Sequence, residues 1–382
     1  MSLELLIDIL IATVPLMLIF ATLFAFTTWL ERKALARIQN RIGPNKVGIP
    51  CTRIGLFGLG QPAADGIKMI FKENIVPSGA DRLFHLLAPI LALIPSMLVL
   101  CFLPLDFPWL NENSVKAFLL DGAVIFFFAI TGLNTLAVFM AGWASRNKYS
   151  LLGGMRAVAQ MVSYEIPLVL SAVIVVMMVG SLNAGEIAGV QKGGNWFVFS
   201  PWGFAAFVIF FIAALAETNR SPFDLPEAES EIIAGYFTEY SGFKFALFFL
   251  AEYIAMFAIS GLTVTLFLGG GDGPGLAVLP WLSVIWFLAK IFALIAVMIW
   301  LRGTLPRLRV DQLMGFAWKF MLPLSILNIF VAGFAWHAEQ LDNKFIMVIT
   351  WLISLAVLYG AASGLNQLNR GKVRPREYKY AE

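Results

Sequence analysis

The sequence predicts an all-α fold, a polytopic bundle of membrane-crossing helices, and three observations carry that prediction. Of 382 residues, 59% are hydrophobic and only 13% charged, with a mean hydropathy of +0.81, whereas soluble domains average about 25% charged residues. Apolar runs of roughly 20 residues recur along the chain, the length a helix needs to cross the hydrocarbon. The period-two alternation of a membrane barrel is absent, and in lipid a helix is the other way to satisfy every backbone polar group internally.

Nine runs qualify as spans: 9–30, 86–105, 122–143, 161–180, 202–217, 245–268, 281–301, 320–338 and 345–365. The first begins MSLELLIDIL, with Glu4 and Asp8 where a secretion signal carries basic residues. It runs to Leu30 without a small-residue cleavage site and reads as a retained span. The chain is then one integral membrane domain over 1–382, with loops at 31–84, 217–244 and 302–319 and a basic tail at 366–382. These loops, the one between spans three and four, and the tail hold 23 basic residues against three on the other side, Lys116, Lys192 and Lys344. That asymmetry places the N-terminus outside and the C-terminus in the cytoplasm. Residues 54–72, IGLFGLGQPAADGIKMIFK, are too polar to span. They fit a helix lying in the interface with Ile67, Ile70 and Phe71 toward lipid, or an ordinary loop helix packed on the bundle. Inverted repeats of the transporter kind are missing, and GGGDGPG at 269–275 is an outer turn.

Charge is concentrated where such a chain can least accommodate it. Six carboxylates and one arginine fall between Glu217 and Glu239, beside the end of the fifth span. Ser221-Pro222 interrupts the helix, Asp224 reads as an N-cap, and Glu227 and Glu231 share a helical face that Glu229 does not. A capped, solvated loop helix accounts for any one of these acids. The cluster as a whole cannot ionise cheaply at the edge of a low-dielectric bundle, which favours proton handling or the binding of a polar ligand head. Glu165 and Glu252 lie within spans, as does Lys290. Intramembrane charges are costly and mark ion or proton paths, or else a buried structural pair of Lys290 with one of the two acids. Two isolated cysteines, Cys51 and Cys101, and two isolated histidines, His85 and His337, leave no set of ligands for an iron–sulfur cluster or haem.

The stretches ERKALARIQNRIGPNKVG (31–48), QPAADGIKMIFKE (61–73), LLGGMRAVAQMVSYEIPL (151–168), AETNRSPFDLPEAESE (216–231), AEY (251–253) and RGTLPRLRVDQLM (302–314) occur in this order. Together they resemble the quinone-site membrane subunit, the bacterial H subunit, of proton-pumping NADH:quinone oxidoreductase, respiratory complex I, over residues 29–325. The resemblance implies a bacterial inner-membrane, multi-pass subunit forming the membrane side of a quinone tunnel. Its partners would be peripheral subunits that carry flavin and iron–sulfur clusters, and antiporter-like membrane subunits. Quinone is then substrate, lipid the surroundings, nucleic acid no partner, and this chain holds no flavin, haem or iron–sulfur cluster and no complete active site. By residue, the resemblance places Arg32, Arg41, Glu217, Arg220, Phe223, Asp224, Glu227, Glu229, Glu231, Arg302 and Arg307 along the tunnel, with Asp311 in the last loop. It places Glu165, Glu239 and Glu252 on the proton-coupling route, to which the charge within a span adds Lys290.

Two other readings compete. The membrane subunit of an energy-converting hydrogenase shares the fold but differs in the acidic loop. A stand-alone ion transporter fits the intramembrane acids but not the large loops or the missing repeats.

Overall fold

The computed structural model describes residues 3–48, 55, 57–104, 121–225, 234–276, 279, 281–339 and 344–369, and among these it is helical, with no strand. The acids Glu227, Glu229 and Glu231, the helix expected after Asp224 and the tail beyond 369 lie outside the described residues.

The helices are α1 (Leu3–Ile38), α2 (Gln61–Phe71), α3 (Arg82–Leu100), α4 (Ala123–Ala144), α5 (Lys148–Val179) and α6 (Ala184–Val190). After them come α7 (Pro201–Glu217), α8 (Gly242–Phe267), α9 (Leu282–Thr304), α10 (Val310–Phe316), a π-helical turn (Ala317–Met321), α11 (Leu322–Glu339) and α12 (Lys344–Asn369). Each expected span falls on a helix. Seven described helices are long and apolar enough to cross a membrane, and α7 is a shorter apolar helix of 17 residues. Two helices outrun their expected spans because their polar ends keep helical sequence. Helix α1 continues through ERKALARI to Ile38, and α5 begins at Lys148, where the Asn147 side chain accepts from the Tyr149 amide. At 32 residues α5 is ~48 Å long, well beyond a ~30 Å hydrocarbon core.

Helices α3, α4, α5, α7 and α8 pack neighbour to neighbour in a closed ring. Helices α1 and α9 pack together and against α8 outside it, and α11 and α12 lie against α7. Inside the ring the packing is close enough to need glycine. A Cβ on Gly153 of α5 would lie 2.5 Å from the Gly235 Cα, so only two glycines allow the turn at 235–237 to dock there.

Helices α1 and α7 stop in the same way. Asn40 and Asn219 both adopt the left-handed conformation, with φ 55° and 48°, which asparagine tolerates better than most residues. The following amides, Arg41 N and Arg220 N, donate back five residues to Ala36 O (2.8 Å) and Leu215 O (3.2 Å). That is the Schellman closure of a helix C-terminus. The helix before the acidic loop therefore ends at Glu217 and is closed by Asn219, ahead of the Ser221-Pro222 step.

Helix α2 buries none of its residues. Its Ile67, Ile70 and Phe71 are all exposed, Phe71 at 85%, while Asp65 on another side of it pairs with Arg32 at 2.5 Å. Trp29 Nε1 also donates to Phe57 O at the approach to this helix (3.1 Å). Its apolar edge is thus turned away from the bundle and its acid toward α1.

Candidate functional site

The charged residues converge at one end of the bundle around an acid that the sequence did not single out, Glu31. It stands where the apolar part of α1 gives way to its basic extension, and it is 3% exposed. Arg220 Nη1 donates to both its oxygens, at 3.1 and 3.2 Å, and Arg302 at the end of α9 pairs with it as well. Tyr253 Oη donates to it at 2.5 Å, and the Arg220 guanidinium lies over the Tyr253 ring, 4.1 Å from its centre. One carboxylate thereby ties α1, the loop after α7, α8 and α9 together. Buried carboxylates survive when hydrogen-bonded and paired, and here two guanidiniums serve one acid, an excess of one positive charge. Burial opposes charge on Arg220, but Tyr253, Glu31 and Glu252 outweigh it and push its pKa up. Its Nε and Nη2 are buried with no partner. Such orphaned donors are rare in folded proteins and call for an explanation.

The loop carrying Arg220 is held from inside the ring. Gln160 Nε2 on α5 donates to Ala216 O (2.7 Å) and Phe223 O (2.6 Å). Phe223 is buried and its ring lies 5.4 Å from that of Tyr164, whose hydroxyl donates to Leu313 O at 2.9 Å. Arg307 reaches Asp224 at 3.6 Å, and Leu308 N donates to Pro222 O. The loops after α7 and α9 are thus joined by both charge and backbone.

Next to this knot the acids face into the ring. Glu217, the last residue of α7, is buried, and its Oε2 has no hydrogen-bond partner. It lines two small cavities of ≈ 10 and ≈ 20 Å³, each near the size that one water needs. The first also touches Glu252, Asn134 and Tyr236, and the second Thr131, Asn134 and Ser96. Tyr236 Oη donates to Glu252 at 3.1 Å. Glu165 is close enough to Glu217 for their charges to repel, and Gly132 of α4 leaves space for its carboxylate. Glu239 accepts from Asn147 Nδ2 at 2.7 Å. Beside it the buried His85 ring stacks on Tyr240 at 4.1 Å, and the Lys244 ammonium donates to His85 Nδ1 at 3.1 Å. Burial pushes the Tyr240 phenol up.

Of the residues expected along the tunnel and the coupling route, the structure brings together Glu217, Arg220, Glu252 and Arg302, with Glu165 beside Glu217 and Asp224 against Arg307. Arg32 sits on the outer side with Asp65, and the exposed Arg41 bonds Gln39 at 2.8 Å. Lys290 is placed elsewhere. It pairs with neither Glu165 nor Glu252 and instead donates to Leu268 O (2.6 Å), Gly270 O (3.0 Å) and Asp272 O (2.7 Å), lying 4.1 Å from the Trp196 ring centre. These carbonyls belong to the C-cap and turn after α8, so of the two readings of Lys290 the buried pair with an acid is the one that the structure does not show. Sequence reasoning missed Glu31, Tyr253, Asn134, Tyr236 and Gln160. Two carried a signal: Glu31 opens the first basic motif, and Tyr253 adjoins an intramembrane acid. Among the described residues no group of three or more His, Cys, Asp or Glu side chains could hold a metal ion.

Comparison with known proteins gives the family of the chain. A family model described as NADH dehydrogenase matches residues 11–333. The chain is 49% identical over 316 residues to a protein of Geobacillus kaustophilus (strain HTA426) named as the H subunit of NADH-quinone oxidoreductase, covering 82% of this chain and 90% of that one. A protein of the same name from Dehalococcoides mccartyi (strain CBDB1) is 46% identical over 332 residues, 87% of each chain. A third, from Koribacter versatilis (strain Ellin345) and numbered as its second H subunit of that enzyme, is 44% identical over 344 residues, 85% of this chain and 95% of that one.

Proposed function

The chain belongs to the NADH dehydrogenase family, and from that premise we propose that its basic end forms the membrane side of a quinone-binding tunnel and that its buried acids couple quinone reduction to proton translocation. It is a multi-pass bacterial inner-membrane subunit of an oxidoreductase complex, not a full enzyme by itself. The relatives speak for a quinone-reducing complex over an energy-converting hydrogenase. Electrons arrive from partner subunits, and quinone takes two electrons and two protons to become quinol.

The observation that carries the reading is Arg220. A guanidinium that is 7% exposed and fixed by Glu31 and Tyr253 keeps two donors unpaired. A passing carbonyl or quinol oxygen gives them an acceptor, and charge-assisted bonds of this kind exceed neutral ones. A change of charge there is felt in the low-dielectric ring by Glu217 and Glu252, which share the first small cavity. Protons then pass along Glu217, Glu252 and Glu165 toward neighbouring subunits. To the approach we assign Arg32, Arg41, Phe223, Asp224, Glu227, Glu229, Glu231 and Arg307, and to the coupling route Glu239.

The test uses the assembled complex. Glu229→Gln and Arg41→Ala should lower NADH:quinone reductase activity about tenfold while NADH oxidation by an artificial acceptor at the flavin is unchanged. Equal loss of both activities would report failed assembly and defeat the assignment.

A further inference from the structure

A second concavity lies apart from the Glu31 knot and the acidic ring. It is an open groove of ≈ 750 Å³ between α10, the π-helical turn and the last third of α12. Its wall is aromatic. Phe316 and Phe320 stack at 5.2 Å with 14° between their planes, and Tyr359, 75% exposed, faces the same space. Its rim is polar, with Asp311 and Gln312 on α10, Lys319 on the π-helical turn and Ser363 on α12. The groove thus carries one carboxylate, one ammonium and an apolar floor.

Two further features bear on what it takes. Lys319 and Asp311 belong to the side of the chain that holds 23 of its basic residues, at the level of that leaflet's headgroups. The groove also lies at the one π-helical stretch among the described residues, and such stretches recur at functional sites. The Trp318 side chain of that turn is fastened to α5 through Ser163 at 3.2 Å, so the turn is anchored to the ring.

We propose that this groove binds the headgroup of one zwitterionic, amine-bearing phospholipid, with its phosphate toward Lys319, its ammonium toward Asp311 and an acyl chain along Phe316, Phe320 and Tyr359. The charges at the rim select this class. A glycerol headgroup offers Asp311 hydroxyl donors but no positive charge. A choline headgroup has no N–H to donate to the carboxylate. A phosphoethanolamine headgroup matches both charges and donates. The site is independent of the quinone reading and stands or falls separately.

The experiment places photoreactive p-benzoylphenylalanine at position 359 in the whole complex. The complex is reconstituted in nanodiscs of equal phosphatidylethanolamine, phosphatidylglycerol and phosphatidylcholine, irradiated, and the adducts of this chain are weighed. The expected result is phosphatidylethanolamine adduct in about tenfold preference over each of the others. Lys319→Gln and Asp311→Asn should each shrink that preference severalfold while total lipid adduct stays constant. Equal adducts of the three lipids, or a preference untouched by both substitutions, would overturn the headgroup assignment. Adducts to another protein chain would overturn the lipid site itself.

Discussion

Charge is handled in opposite ways at two levels of α9. Near its C-terminus Arg302 joins Arg220 on the single acid Glu31, and Arg220 is left with two unpaired donors. About 18 Å back along the helix, Lys290 spends its ammonium on three carbonyls and a tryptophan face. Beside it the fully buried Gln191 donates to Ile187 O, Thr265 O and Leu266 O, and accepts from Gly269 N at 3.0 Å. Asp272 Oδ2 takes the Gly193 and Gly194 amides. The Lys290 end is a cap with its polar groups matched, and the Glu31 end is a socket that keeps bonding capacity in reserve. An intramembrane charge therefore signals function only when its partners leave something over.

The largest effect expected from this contrast is at Glu31. Glu31→Ala removes the anion and strands two guanidiniums, a loss of about 3–5 kcal/mol for a broken buried pair. NADH:quinone reductase activity should fall more than tenfold in whatever complex assembles, measured against the flavin reaction. Normal quinone turnover would break the comparison outright. Tyr253→Phe keeps the ring under Arg220 but deletes the hydroxyl, a loss of about 1.5–3 kcal/mol for a bond to a charged acceptor. Its signature should be a raised KM for quinone. An unchanged KM with a lowered Tm would make Tyr253 a cap like Gln191. Gln191→Leu should cost about 1–3 kcal/mol through stranded backbone groups and lower the Tm, leaving quinone turnover per assembled complex as it was. Lys290→Met is expected to be mildest in function, costing about 1.5–3 kcal/mol of stability through its lost charge-assisted bonds, with the number of protons pumped per electron unaltered. A drop in that ratio would place Lys290 on the coupling route and erase the contrast.

The spans were legible because apolar runs of helical length have few other outcomes in lipid. Their extents were not, since the polar ends of α1 and α5 read as loop by hydropathy while remaining good helix formers. The acids were found because charge in a span is conspicuous. Partners were harder in proportion to how little sequence mark they leave. The acceptors of Lys290 are backbone carbonyls and leave none, so Glu165 and Glu252 stood out in their place. Glu31 was hidden by its position just past a span, where an acid looks solvated. The repeated Asn-Arg pairs at 40–41 and 219–220 end two helices alike and were visible as letters. Their meaning needed the backbone.

The Glu31 knot also imposes an order on the making of the protein. Its acid is translated 189 residues before Arg220, 222 before Tyr253 and 271 before Arg302. At ribosomal rates of roughly 5–20 residues per second, the carboxylate waits on the order of tens of seconds for its last partner. During that interval α1 is inserted with a bare acid at its inner edge, and a chain truncated before Arg302 never closes the ring around it. A nascent or broken chain therefore carries Glu31 with part of its set of partners missing.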